Sequence, residues 1–237
     1  MWTWILAASL AVNAALIGRL LWRHRKRFRY PRRSVPAARH CRVLIAGDSR
    51  AEMWDVARWF PGLGFENVGQ AGTTTHEVLE SVGAALGQVE PEIVVVLAGI
   101  NDFDVGGKMG LPMNETVRMV LDNLREIIHE IRQAGARAVV ATVPPLHGQV
   151  PDIRHARTPA DRVWALNERI VRLAGHHHAA VFDLARILAD GNGALDPACT
   201  SDGLHFNDVG YERATAGLLS RLDSLDRGRS GAARAGA

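Results

Sequence analysis

Ile93-Val94-Val95-Val96-Leu97-Ala98-Gly99-Ile100-Asn101-Asp102 is the stretch on which the fold turns. Its first six residues are apolar without a break, which is the pattern of a central parallel strand covered on both faces. A polar tip follows at once. Four further runs, at residues 42–46, 65–68, 137–143 and 180–183, read as strands of the same sheet. Between them the apolar period changes to that of a helix, most plainly over 115–134, where Val117, Val120, Leu121, Leu124, Ile127, Ile128 and Ile131 form one stripe. Asn114 is placed to cap the start of that helix and Gly135 its end. Asn114-Glu115-Thr116 also fits a glycosylation sequon, but capping accounts for the Asn by itself. Helices are expected too over 51–59, 75–89, 159–174 and 209–222. Strands alternating with helices imply right-handed crossovers, hence an α/β fold of three layers, α/β/α, around a five-stranded parallel sheet.

The rest of the chain frames this domain. At 237 residues, with no low-complexity linker between 42 and 225, it is long enough for one full core and shows no sign of a second. The net charge of +3 is unevenly spread, because residues 1–47 hold ten of the 28 Lys and Arg and none of the 25 Asp and Glu. Eighteen basic groups then face 25 acidic ones in the remainder, a net of −7, so the globular part carries no electrostatic footprint for nucleic acid.

Residues 2–22 are almost wholly apolar, broken by Thr3, Ser9, Asn13, Gly18 and Arg19, and about twenty helical residues suffice to cross a bilayer. Trp2, Trp4 and Trp22 stand where interfacial aromatics belong, and Arg19 is near enough to the end to snorkel. We therefore expect a transmembrane helix at 1–22, a basic juxtamembrane linker at 23–40, the globular domain at 41–225 and a disordered tail at 226–237. Arg23, Arg25, Lys26, Arg27, Arg29, Arg32 and Arg33 keep the domain on the cytoplasmic side by the positive-inside rule, and anionic headgroups can hold them at the membrane. The alternative, a cleaved signal peptide with export, lacks the basic residues that should precede its apolar core. Cys41 and Cys199 are expected at opposite sheet edges, too far apart for a disulfide.

Parallel sheets carry their functional loops at the carboxyl ends of the strands. Ser49, in Gly47-Asp48-Ser49-Arg50, follows the first strand and precedes a helix; alone it reads as a helix cap. A serine hydroxyl becomes a nucleophile only when a base takes its proton, and histidine is best poised for that near neutral pH. His205 supplies one, and Asp202, three residues earlier, can reach its Nδ1 and leave Nε2 facing Ser49. A developing oxyanion needs preorganised donors. The Ser49 N–H, the Gly69 N–H and the Asn101 side-chain amide follow the first, second and third strands to one sheet edge.

Gly47-Asp48-Ser49, Gly69, Gly99-x-Asn101-Asp102 and Asp202-x-x-His205 resemble, in order, the four blocks of the SGNH, or GDSL-type, esterase and lipase family. The resemblance runs over residues 42–222 and extends to Thr142-Val143-Pro144-Pro145, Asn167 and Asp183. It implies a flavodoxin-like fold, a Ser49 nucleophile, a His205 base oriented by Asp202, an oxyanion hole from Ser49, Gly69 and Asn101, and no metal or organic cofactor. Arg50 and Ala51 depart from it, standing where the GDSL pattern has Leu. The segment 47–107 looks most like small bacterial members related to lysophospholipases and platelet-activating-factor acetylhydrolase subunits.

Other readings compete less well. Gly47-x-Ser49-x-Ala51 lacks the second Gly of a nucleophile elbow. A flavodoxin-like phosphate-binding module would need neither Asn101 nor the Asp202/His205 pair, and Gly62-Leu63-Gly64 precedes a strand instead of following one. His176-His177-His178 reads as an exposed helix end, since consecutive helical residues point apart. The expected activity is hydrolysis of an acyl ester, lipid or small; an acyltransferase would use identical residues, and a membrane-tethered scaffold without catalysis is the non-enzymatic alternative.

Overall fold

A computed structural model of the chain describes residues 39–147 and 160–235. The expected transmembrane helix at 1–22 and nearly all of the expected linker lie outside these residues. Among the described residues no helix is long and apolar enough to cross a membrane.

The sheet has five strands, β1 (Arg39–Gly47), β2 (Phe65–Asn67), β3 (Val89–Leu97), β4 (Arg137–Ala141) and β5 (Ala180–Phe182), in the order β2-β1-β3-β4-β5. All pairings are parallel. Register sets Ile45 beside Asn67 and Val95, and Gly47 beside Leu97, so the carboxyl ends of β1, β2 and β3 meet at one edge. The chain moves from β1 outward to β2 and then back across to β3, making the β1/β3 boundary the switch point at which such sheets hold ligands. β1 starts at Arg39, two residues inside the expected linker, and Cys41 lies within the strand rather than before it.

Alternate residues of each strand feed two cores. Leu44, Ala46, Val94, Val96, Ala138 and Val140 face one helix layer. Val43, Ile45, Val95, Val139 and Ala141 face the other. The first layer holds α3 (Thr75–Leu86), α5 (Met113–Gln133) and α6 (Ala160–His176); the second is formed mainly by α8 (Asp208–Ala235), through Tyr211, Ala214, Leu218 and Leu222. On α5 the predicted stripe is buried from Val117 to Ile131, with Leu121 at its margin. Burial of each such side chain contributes about 1.5–3 kcal/mol relative to exposure.

Several boundaries differ from the sequence reading, each for a local reason. α5 begins two residues early, with Pro112 at the cap and its carbonyl taking the Glu115 and Thr116 N–H groups, so Asn114 sits in the first turn and is not the cap. Gly135 does end it: at φ +83° its N–H reaches Arg132 O, and that of Ala136 reaches Ile131 O. The helix expected at 51–59 is two, α1 (Ser49–Glu52) and α2 (Val56–Trp59), because Asp55 accepts the Ala57 and Arg58 N–H groups and starts a new turn. α4 (Ile100–Lys108) and α7 (Leu184–Leu188) were not anticipated. α8 continues to Ala235, where a disordered tail was expected from 226; Asp226 is held by Arg42 at 3.0 Å and Arg137 at 2.9 Å. Residues 236–237 lie outside the described part.

Candidate active site

The turn after β1 places Ser49. Gly47, at φ +157°, passes so close to β3 that a Cβ would run into the Leu97 carbonyl. Asp48 then caps α1, its Oδ1 accepting the Arg50 N–H at 2.9 Å. Burial drives the Asp48 carboxyl above the usual range, opposed by the charge of Arg50 and the bond from its N–H. Asn67, at the end of β2, braces the same turn: its amide donates to Ala51 O at 2.7 Å and Trp54 O at 3.0 Å.

Asp202 and His205 come from the loop before α8. Asp202 Oδ1 accepts the N–H groups of His205 at 2.7 Å and Leu204 at 2.9 Å, while Oδ2 lies 2.7 Å from His205 Nδ1. Burial by itself would raise the Asp202 pKa, but the hydrogen bonds from the His205 ring and from the two backbone groups outweigh it and pull the value down to about 2. Thr200 closes the loop internally, accepting the Gly203 N–H and donating to His205 O. With Nδ1 donating to a carboxylate, Nε2 is left to accept. Ser49 Oγ lies 3.0 Å from it.

Of the expected oxyanion donors, the Ser49 N–H makes no hydrogen bond among the described residues. Asn101 is buried in the first turn of α4 and donates Nδ2 to Thr73 O at 2.9 Å. Its neighbour Asp102 accepts both the Thr75 N–H, at 3.0 Å, and the Thr75 hydroxyl, at 2.6 Å, latching α4 to the start of α3. Gly69 lies on the loop after β2, at the same sheet edge. Its N–H goes to Asn67 Oδ1 at 2.8 Å, and its α-carbon is packed so tightly on Ala51 and Glu52 that a Cβ would collide with the Glu52 nitrogen. Gly72, exposed at φ +77° on the same loop, has an N–H that meets no described acceptor.

The supporting residues found in the sequence gather at the end of β4. Asn167 brackets Val143, accepting its N–H and donating to its carbonyl, both at 2.7 Å. Thr142 donates to Asp183 at 3.0 Å and accepts the Ala185 N–H at 2.9 Å. Among the described residues no cluster of three or more His, Cys, Asp or Glu is arranged to hold a metal. His177 and His178 turn their carbonyls to Arg132. Both cysteines are buried free thiols, and burial pushes that of Cys41 up to about 11.

Residues 45–213 match the GDSL-like Lipase/Acylhydrolase family, and the chain belongs to it. It is accordingly a serine hydrolase acting on esters. A GDSL-like lipase from Bacteroides thetaiotaomicron has the same fold, with a TM-score of 0.68 and 21% identity over 78% of this chain and 88% of its own. So does a Streptococcus pneumoniae structure whose name carries the words platelet activating factor, with a TM-score of 0.68 and 22% identity over 90% of this chain and 99% of its own. The chain is also 26% identical over 176 residues to the N-acylneuraminate cytidylyltransferase of Escherichia coli O18:K1:H7. That match takes in 71% of this chain but only 37% of the relative's length.

Proposed function

We propose that the chain hydrolyses acyl esters in two steps with Ser49 as nucleophile. His205 Nε2 takes the Ser49 proton as Oγ attacks the carbonyl carbon, then gives it to the leaving alcohol; water activated by the same nitrogen cleaves the acyl-enzyme. Asp202 holds the imidazole in the tautomer this requires and stabilises its charged form. The oxyanion is received by the Ser49 N–H, the Asn101 amide and an N–H of the loop 69–72. Gly69 can serve only by releasing Asn67; Gly72 needs no such exchange. The observation that carries the reading is the unbroken line from Asp202 through His205 to Ser49, with steps of 2.7 and 3.0 Å.

A lipid or lysophospholipid is the substrate class this reading favours. Val105, one turn beyond Asn101 on α4, and Met109, which caps that helix, are 39% and 65% exposed, giving apolar surface on the helix that Asn101 opens. The apolar segment 1–22 and its basic flank would anchor the domain at the cytoplasmic face of a membrane, where such substrates lie. Turnover of acyl esters of increasing chain length by the full chain, beside Ser49→Ala and His205→Ala, tests the assignment. Loss of turnover in both folded variants supports it; turnover equal to wild type excludes it.

A further inference from the structure

Arg50 follows Ser49 directly and has no part in the chemistry just described, yet it is only 2% exposed. A buried guanidinium is costly unless its donors are used. Its two bonds go to backbone carbonyls: Nε donates to Leu204 O at 3.1 Å and Nη1 to Pro144 O at 3.0 Å. The group also lies 5.5 Å from the centre of the Phe206 ring. Leu204 stands between Asp202 and His205, and its own N–H is the one Asp202 Oδ1 accepts. Both backbone groups of Leu204 are therefore engaged, one by the triad carboxylate and one by the residue after the nucleophile.

Arg50 is fixed at its own end as well. Its N–H goes to Asp48, and its carbonyl accepts from Tyr211 Oη at 3.0 Å. The third nitrogen, Nη2, is buried with no hydrogen bond among the described residues, and Arg50 lines a small pocket together with Asp48, Thr142 and Pro144. Asp202 and His205 have side chains 44% and 29% exposed, so their placement rests on the backbone between them, which Leu204 anchors by burial, the His147 N–H holds at Gly203 O and Arg50 holds at Leu204 O.

We propose that Arg50 is a positioning residue whose guanidinium fork ties the Ser49 turn to the loop carrying Asp202 and His205, and so sets the distance between nucleophile and base. This rests on the assignment of Ser49 and His205 made above. Two carbonyls approached from fixed directions suit a planar fork; a lysine reaches one of them, and a leucine neither. Displacement of a catalytic group by about 1 Å costs on the order of 10²-fold in rate.

The test is the rate at which a fluorophosphonate labels Ser49 in the full chain, where Oγ displaces fluoride at phosphorus and His205 takes the proton. We expect Arg50→Lys and Arg50→Leu, folded by circular dichroism, to be labelled at least about tenfold more slowly than wild type, and kcat on esters to fall alike with KM unchanged. The downfield proton signal of His205 Nδ1–H should shift or broaden in both. Should Arg50→Leu not fold, Arg50→Lys decides, together with slow exchange of the Arg50 Nε–H in wild type. Wild-type labelling rates and an unmoved His205 signal in the folded variants would overturn the role of Arg50 alone. Absence of Ser49 labelling in wild type would overturn the nucleophile assignment, and this inference with it.

Discussion

Ser49 and His205 are separated by 156 positions in the chain and by 3.0 Å between Oγ and Nε2. The parallel sheet brings them together: the first lies just past β1 at the switch point, the second in the loop that leads into α8. Replacing either, as Ser49→Ala or His205→Ala, should lower kcat on an acyl ester by about 10⁴-fold or more without loss of fold. Steady-state kinetics beside thermal melts decides this.

Asp202 has its pKa depressed to about 2 from an ordinary 3.8, so the unfolded chain binds its proton more readily than the folded one. The stabilisation is therefore present above about pH 4 and is lost as pH falls from there toward 2. Asp202→Asn should flatten that part of the stability curve and lower kcat as well. Denaturant titrations between pH 5 and 2 measure the first effect, and a retained wild-type slope would contradict it.

The loop after β2 separates two glycine roles. Gly69→Ala drives a methyl into the Ala51 and Glu52 backbone, and should cost about 1–3 kcal/mol of stability with kcat falling through the displaced Ser49 turn. Gly72→Ala meets open space and is strained only by its positive φ. If Gly72 supplies an oxyanion donor, that variant loses kcat out of proportion to its melting temperature. Asn101→Ala, which removes a donor outright, should cost about 10²–10³-fold in kcat.

Asn67 reaches the carbonyls of Ala51 and Trp54, just past Ser49, with one amide. Asn67→Asp replaces that donor by a carboxylate facing two acceptors, and should cost about 1–3 kcal/mol of stability. Activity should fall as well. Urea unfolding and ester turnover on the same preparation check both, and unchanged kcat would separate Asn67 from Ser49 placement.

Val105 and Met109 make the lipid reading specific. Val105→Ser with Met109→Ser should lower kcat/KM for long acyl chains by about tenfold while leaving acetyl esters near wild type. Equal loss on all chain lengths, or none, removes this surface from the acyl path.

The strands, their direction and the candidates Ser49, Asp202 and His205 were legible in the sequence because each is a local pattern: an unbroken apolar run, or a polar tip at its end. The structure sets His205 2.7 Å from Asp202 and 3.0 Å from Ser49. α4 was hidden by Gly106-Gly107 and by polar Asn101 and Asp102, which obscure the helical period; its support comes from Thr75 and Thr116, outside the window. Sequence order places Gly69 at the right edge but says nothing of where its N–H points, so its bond to Asn67 Oδ1 had no local signal. Arg50 read only as a departure from a family pattern. That an arginine is buried against the carbonyls of Leu204 and Pro144 is set by residues about a hundred or more positions away, and no local signal carries it.

Acylation of Ser49 is the step on which the proposed reaction depends. The full chain, mixed with an acyl ester and quenched in acid within one turnover, should gain the mass of the acyl group on the peptide containing Ser49, with none on Ser49→Ala and less on His205→Ala. Acyl mass on another residue, or ester turnover with no adduct at any quench time and undiminished in Ser49→Ala, would contradict it.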